Sequence, residues 1–182
     1  WNDSLKVSLE FMDMNRKTIK IFSNFSKENN LKIKGGSNSF VWNMRYKNAE
    51  GFDGLIMWAA SLTGPKAIPG KYFTKLTVNG ESKETEFFIL KDERSNSTIN
   101  DLKDQFNFLI EIRDKVTEIH QSISDMRLIV NQINTFKSKI ENNIEIIDKM
   151  NNLIDKINII QNNLYQTKNK SRQDPLNYPI KL

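Results

Sequence analysis

The chain has 182 residues and a mass of 21.3 kDa, with 38% hydrophobic and 27% charged residues, room for one ordinary domain or two small ones. The absence of cysteine excludes a disulfide framework, Cys-ligated metal sites and thiol nucleophiles, and the single histidine, His120, excludes any site needing two imidazoles. The net charge of +5 is spread as 14 basic and 10 acidic residues through Asp92 and 13 and 12 from Glu93, without a basic stripe, so no nucleic-acid partner is expected.

The first half reads as strands. Leu5, Val7, Leu9 and Phe11 alternate with Lys6, Ser8 and Glu10, the pattern of a half-buried strand. Asp13-Met14-Asn15 supplies a turn, and Ile19, Ile21 and Phe25 carry the return of a hairpin. A short strand over Leu31–Ile33 ends at Gly35-Gly36; Phe40, Trp42 and Met44 then alternate against Ser39, Asn43 and Arg45. Gly54–Ala60 is apolar and open between strand and helix, and Gly64-Pro65 and Pro69-Gly70 bracket a loop. Tyr72, Thr74, Leu76 and Val78 form another inward face, followed by a tight turn at Asn79-Gly80 and a return over Glu84–Leu90. Roughly seven short strands in about 90 residues predict an antiparallel β-sandwich of immunoglobulin-like kind.

After Arg94 the period changes. Ser97 or Thr98 can cap a helix, with Asp101 favourable in its first turn. Leu109, Val116, Ile123 and Val130 recur every seven residues, each followed after three by Ile112, Ile119, Met126 and Ile133, an a/d seam. A second set contains Ile140, Ile147 and Ile154 with Met150, Ile157 and Leu164. The sequence permits one helix, ~100 Å long at 1.5 Å per residue, or two with a short connection. Folding back buries the seams against each other, so an antiparallel hairpin is expected, with helices over 98–132 and 137–168 and a break near Asn131–Lys137. Pro175 and Pro179 make 171–182 an expected extended tail. The domains are therefore 1–93 for the sandwich, 94–170 for the hairpin and 171–182 for the tail, an α+β chain in parts.

The residues offer little chemistry. Glu81, Glu84 and Glu86 lie beside an expected sheet edge, where charge discourages strand addition. Asp101, Asp104, Glu111, Asp114 and Glu118 line a helix face, and His120 flanks the seam with no second metal ligand in view. The glycine pairs at 35–36 and 51/54 lack the context of a phosphate loop. No catalytic, metal or cofactor residue is assigned, and no enzyme activity is expected of this chain. Trp42 has core parity; Arg45, Tyr46, Phe52 and Trp58 remain as candidates for stacking on a glycan or protein. Asn-x-Ser/Thr triplets at Asn2, Asn24, Asn96 and Asn169 are expected chance occurrences in an Asn-rich chain. The longest apolar stretch, Gly54–Leu62, is about half a membrane span, and no span is expected. The chain opens on Trp1 without a signal peptide and is expected to be a piece of a longer protein.

Three stretches carry a resemblance: Phe40-Val41-Trp42-Asn43-Met44-Arg45-Tyr46; Gly64–Tyr72 leading into Leu76-Thr77-Val78; and Tyr165–Asn169 through Gln173–Asn177, with Phe87–Asp92 and Gln105–Asp114 between them. Together they resemble the C-terminal region of large secreted bacterial proteins with sortilin-like BNR-repeat β-propellers, often labelled glycosyl hydrolases. The resemblance implies an Ig-like domain similar to that of flagellar hook-capping proteins, then a helical hairpin, with a propeller before Trp1 and a short terminus after Leu182. It further implies export, the propeller as intramolecular partner, and a non-catalytic accessory role. A glycan- or protein-binding module is the alternative, and a part beside a glycosidase or peptidase site in the propeller is another. No catalytic motif of that family falls on these stretches.

Overall fold

The computed structural model describes residues 5–57, 60–140, 143–178 and 181. They form α+β structure in two compact units, one of Trp1–Asn48 with Thr63–Glu111, the other of Ala49–Leu62 with Ile112–Leu182. The sequence periodicity divides the chain at 93/94, whereas compactness divides it inside the helix that follows and draws 49–62 into the second unit.

The first unit is built on one antiparallel sheet. Its strands are β1 (Val7–Met12), β2 (Thr18–Ser23), β3 (Gly70–Val78) and β4 (Glu81–Ile89), in the order β2-β1-β3-β4. Asp13 makes the first hairpin: its carboxylate accepts from the Asn15 and Lys17 amides at 2.9 Å each. Asn79 and Gly80, at φ of 50° and 96°, form the two-residue turn between β3 and β4, a conformation that favours this dipeptide. The register places Leu9 opposite Phe22 and Leu76, and Tyr72 opposite Phe87. On that face Phe11 stacks on Trp42 at 4.5 Å, and Phe22, Phe40, Tyr72 and Phe87 complete an aromatic layer. The opposite face carries polar pairs such as Glu10–Lys75, at 2.7 Å.

The expected strands over 31–33 and 40–44 do not join this sheet. Their backbone meets other partners: the Asn38 side chain bonds the Lys34 amide and the Lys34 and Gly36 carbonyls, Asn43 Oδ1 accepts from the Arg45 amide, and Met44 takes φ 57°. Such local bonds compete with a ladder. Trp42 still faces the core, as its parity predicts; a single bridge, Arg45 with Lys66, remains of strand pairing there. The first turns of helix α1 (Ile99–Lys137), which belong to this unit, begin on a capping box. The Thr98 hydroxyl accepts from the Asp101 amide at 3.1 Å and Asp101 accepts from the Thr98 amide at 2.8 Å.

In the second unit α1 continues to Lys137 and α2 runs Ile144–Leu164. Helix α1 thus runs through the expected break at 131–137, and α2, starting at Ile144, ends before 168. The cause is local: no residue of 131–137 interrupts helical bonding, whereas the Asn143 side chain accepts from the Ile146 amide and starts a new helix. Ile140 therefore sits in the connection. Of the seam, Ile123 is wholly buried and Ile157 9% exposed, while Leu109 and Ile112 stay exposed. Val116, Ile119, Met126, Val130, Ile133, Ile147, Met150, Ile154 and Leu164 are half-buried. Within 171–178 the chain is not extended: Asp174–Leu176 forms a 3-10 turn. Asp174 accepts from the Ser171 amide at 2.7 Å and from its hydroxyl at 2.9 Å, and proline suits the first turn of a helix.

Candidate functional site

The structure separates the four aromatic-loop candidates. Arg45 and Tyr46 belong to the first unit, Phe52 to the second, and Trp58 lies outside the described residues. Arg45 donates from Nη1 to the Gly64 carbonyl at 2.8 Å, holding two loops together. Tyr46 lies edge-on to Phe106, with ring centres 4.7 Å apart. Gly64 is required at that crossing, since a Cβ there would stand 2.4 Å from the carbonyl oxygens of Tyr46 and Lys47. Burial pushes the nearby Tyr72 phenol up in pKa despite its bond to the Ile68 carbonyl at 2.7 Å.

Phe52 is the centre of a side-chain cluster among the described residues of the second unit. The guanidinium of Arg127 lies 4.6 Å above its ring, and His120 and Tyr165 meet it edge-on at 5.1 and 5.0 Å. The same three residues hold the neighbouring backbone. His120 Nδ1 is 2.7 Å from the Glu50 carbonyl, which can only accept, so that nitrogen carries the proton. Arg127 donates to the Asp53 carbonyl at 2.9 Å, and the Tyr165 hydroxyl accepts from the Ile56 amide at 2.9 Å. Arg127 and Tyr165 escape a sequence reading that looks for chemistry. The available signal was spacing: Arg113, His120 and Arg127 recur every seven residues, each directly after a seam position.

Beside this cluster is a cavity of about 50 Å³, lined by Leu55, Ile56, Ile123, Leu164, His120 and Asn169 among others. It has room for a few waters and is far below the hundreds of Å³ of a small-molecule pocket. Asn169 is buried, with its Oδ1 unpartnered. In the first unit a groove of about 460 Å³ runs over Val7, Leu9, Leu31, Phe40, Leu76 and Val78, with Lys32 and Lys34 at its rim. Its size suits a ligand, but no acid–base pair converges on it, and the Asn38 amide is engaged by backbone.

Four carboxylates have a role in the fold. Glu84 pairs with Arg16 at 3.0 Å and Glu86 with Lys71 at 2.5 Å, both on β4 at the end of the sheet. Asp101 and Asp174 cap turns, and their hydrogen bonds, first from the Thr98 and Lys170 backbone amides, hold both below the ordinary aspartate value. Among the described residues no group of three or more His, Asp and Glu could hold a metal ion, and no helix is long and apolar enough to cross a membrane. Comparison of the chain with protein-family models, with curated proteins and with solved structures finds no match.

Proposed function

We propose that this chain is a non-catalytic structural module, in which an Ig-like β part and an antiparallel helical hairpin serve as accessory elements of a larger exported β-propeller protein. The observation that carries the non-catalytic reading is the clasp around Phe52. The only histidine, a partly buried arginine and a tyrosine, the side chains best suited to chemistry, are all engaged in fixing residues 50–56 to the helices. The pairing of the two seams is supported by the same clasp, because residues of α1 and the residue that follows α2 meet one ring. The family setting rests on the stretches around Phe40–Tyr46, Gly64–Val78 and Tyr165–Asn177, and a reading frame extending upstream of Trp1 without propeller repeats would remove it.

Assay of the purified chain against aryl glycosides and unstructured peptides tests the central claim, with no turnover above buffer expected. Turnover abolished by one carboxylate-to-amide change would overturn it. A stacking platform for glycans is not favoured. One face of Trp42 is covered by Phe11, and Tyr46 and Phe52 are packed against Phe106 and the clasp.

A further inference from the structure

The aromatic layer lies over one end of the inward sheet face, where Trp42 stacks on Phe11 and meets Tyr72 and Phe87 edge-on. Toward the other end, Val7 and Leu9 of β1 stand opposite Val78 and Leu76 of β3. Above them runs the groove of about 460 Å³, walled by Leu31 and Phe40. Leu76 is 43% exposed and Phe40 36%, so floor and wall are both open to an entering ligand. The volume falls in the range of small-molecule sites.

The lining selects the chemistry of that ligand. It is mainly aliphatic, so an alkyl body gains most by burial there. Both hydrogens of the Asn38 amide are bonded to the Lys34 and Gly36 carbonyls, and its oxygen accepts from the Lys34 amide, so it offers no donor to a sugar. Lys32 and Lys34 line the same groove and are exposed. Among the described residues neither has an acidic partner. Residues 31–34 follow the end of β2, where the Leu31 amide donates to the Ser23 carbonyl at 2.9 Å, so this pair belongs to the β2 flank of the groove. On the β4 flank the register sets Lys83 opposite Leu76 and Glu81 opposite Val78, and their charges cancel. Two unpaired cations on one flank of an aliphatic groove complement a single chain that ends in an anion. The ammonium groups can meet a carboxylate in water while the lysine stems cover apolar surface.

We propose that this groove binds a free fatty acid, its alkyl chain over Val7, Leu9, Leu76 and Val78 and its carboxylate at Lys32 and Lys34. Isothermal titration of the full chain with dodecanoate should show one saturable site with a Kd on the order of 10–100 µM. Dodecyltrimethylammonium, the same chain with the opposite charge, should bind about tenfold more weakly. Lys32→Glu with Lys34→Glu, both at exposed positions, should reverse that order. Leu76→Glu, which sets a carboxylate on the floor, should weaken dodecanoate binding by roughly tenfold or more with unchanged circular dichroism. No saturable binding of dodecanoate by the wild type would overturn the proposal, as would a lysine-pair variant that still prefers the carboxylate or a folded Leu76→Glu protein that binds as the wild type does. Binding confined to phosphatidylglycerol vesicles would overturn it too, and would make the lysines a contact for a membrane surface. Should Leu76→Glu fail to fold, the surface lysine pair decides the matter by itself.

Discussion

Single residues in this protein act mostly through backbone geometry and charge pairing. Glu10 illustrates the second. Burial works to raise its pKa, yet hydrogen bonds from Lys75 and Thr18 and the lysine charge outweigh it and leave it below the ordinary value of 4.5. A lowered carboxylate contributes stability that is present above the unfolded value and lost as pH falls through the folded one. Lys75, raised by the same partner, loses its share only as pH climbs past the ordinary lysine value of 10.5. Glu10→Gln should therefore flatten the acid limb of melting temperature against pH below about 4.5; an acid limb parallel to the wild type would show that the pair contributes nothing. Gly64 illustrates backbone geometry. Gly64→Ala puts a methyl carbon against two carbonyl oxygens at 2.4 Å, and a clash with backbone cannot be relieved by a rotamer. It should cost about 2–3 kcal/mol, read as a lower chemical-denaturation midpoint, whereas Gly80→Ala, with open space around it but φ 96°, should cost about 1–2 kcal/mol.

At the scale of elements, the strands and helices follow their periods where nothing competes. β1 and β3 show the alternation of their sequences, and the Asn79-Gly80 turn joins β3 to β4 in the expected form. Over 31–44 asparagine side chains offer the backbone a second set of partners, and the ladder is lost although the apolar parity survives in Trp42. In the helices the seam is strongest where its positions are covered. Ile123 is fully buried, so Ile123→Ala should cost about 2–5 kcal/mol. The matching change at Ile112, which is exposed, should cost under about 1 kcal/mol. Equal thermal shifts for the two would mean that the seam does not differ in packing along its length.

For the whole molecule, compactness and periodicity cut the chain in different places. Phe106 of α1 packs on Tyr46 within the first unit, so a fragment of residues 1–93 loses the cover of that ring. It should melt below a fragment of residues 1–111, by differential scanning calorimetry. Identical melting of the two fragments would make 93/94 the physical boundary after all.

Local patterns in the sequence were enough to determine the α+β character and the inward parity of Trp42, because each depends on neighbours within a few residues; they marked the four sheet strands only among roughly seven expected, and left the helix cap open between Ser97 and Thr98 until the Thr98–Asp101 bonds decided it. The clasp was not legible. Phe52, His120, Arg127 and Tyr165 are up to 113 positions apart, and only folding reveals that three polar side chains converge on one ring. The start of α2 at Ile144 and the turn at Asp174 depended on which asparagine or aspartate found a free backbone amide. Composition cannot decide that. Periodicity alone likewise places apolar residues along both helices; the tertiary structure decided that Ile123 and Ile157 are buried while Ile129, Phe136, Leu153 and Ile160 stay exposed, since burial is a property of the assembled surface.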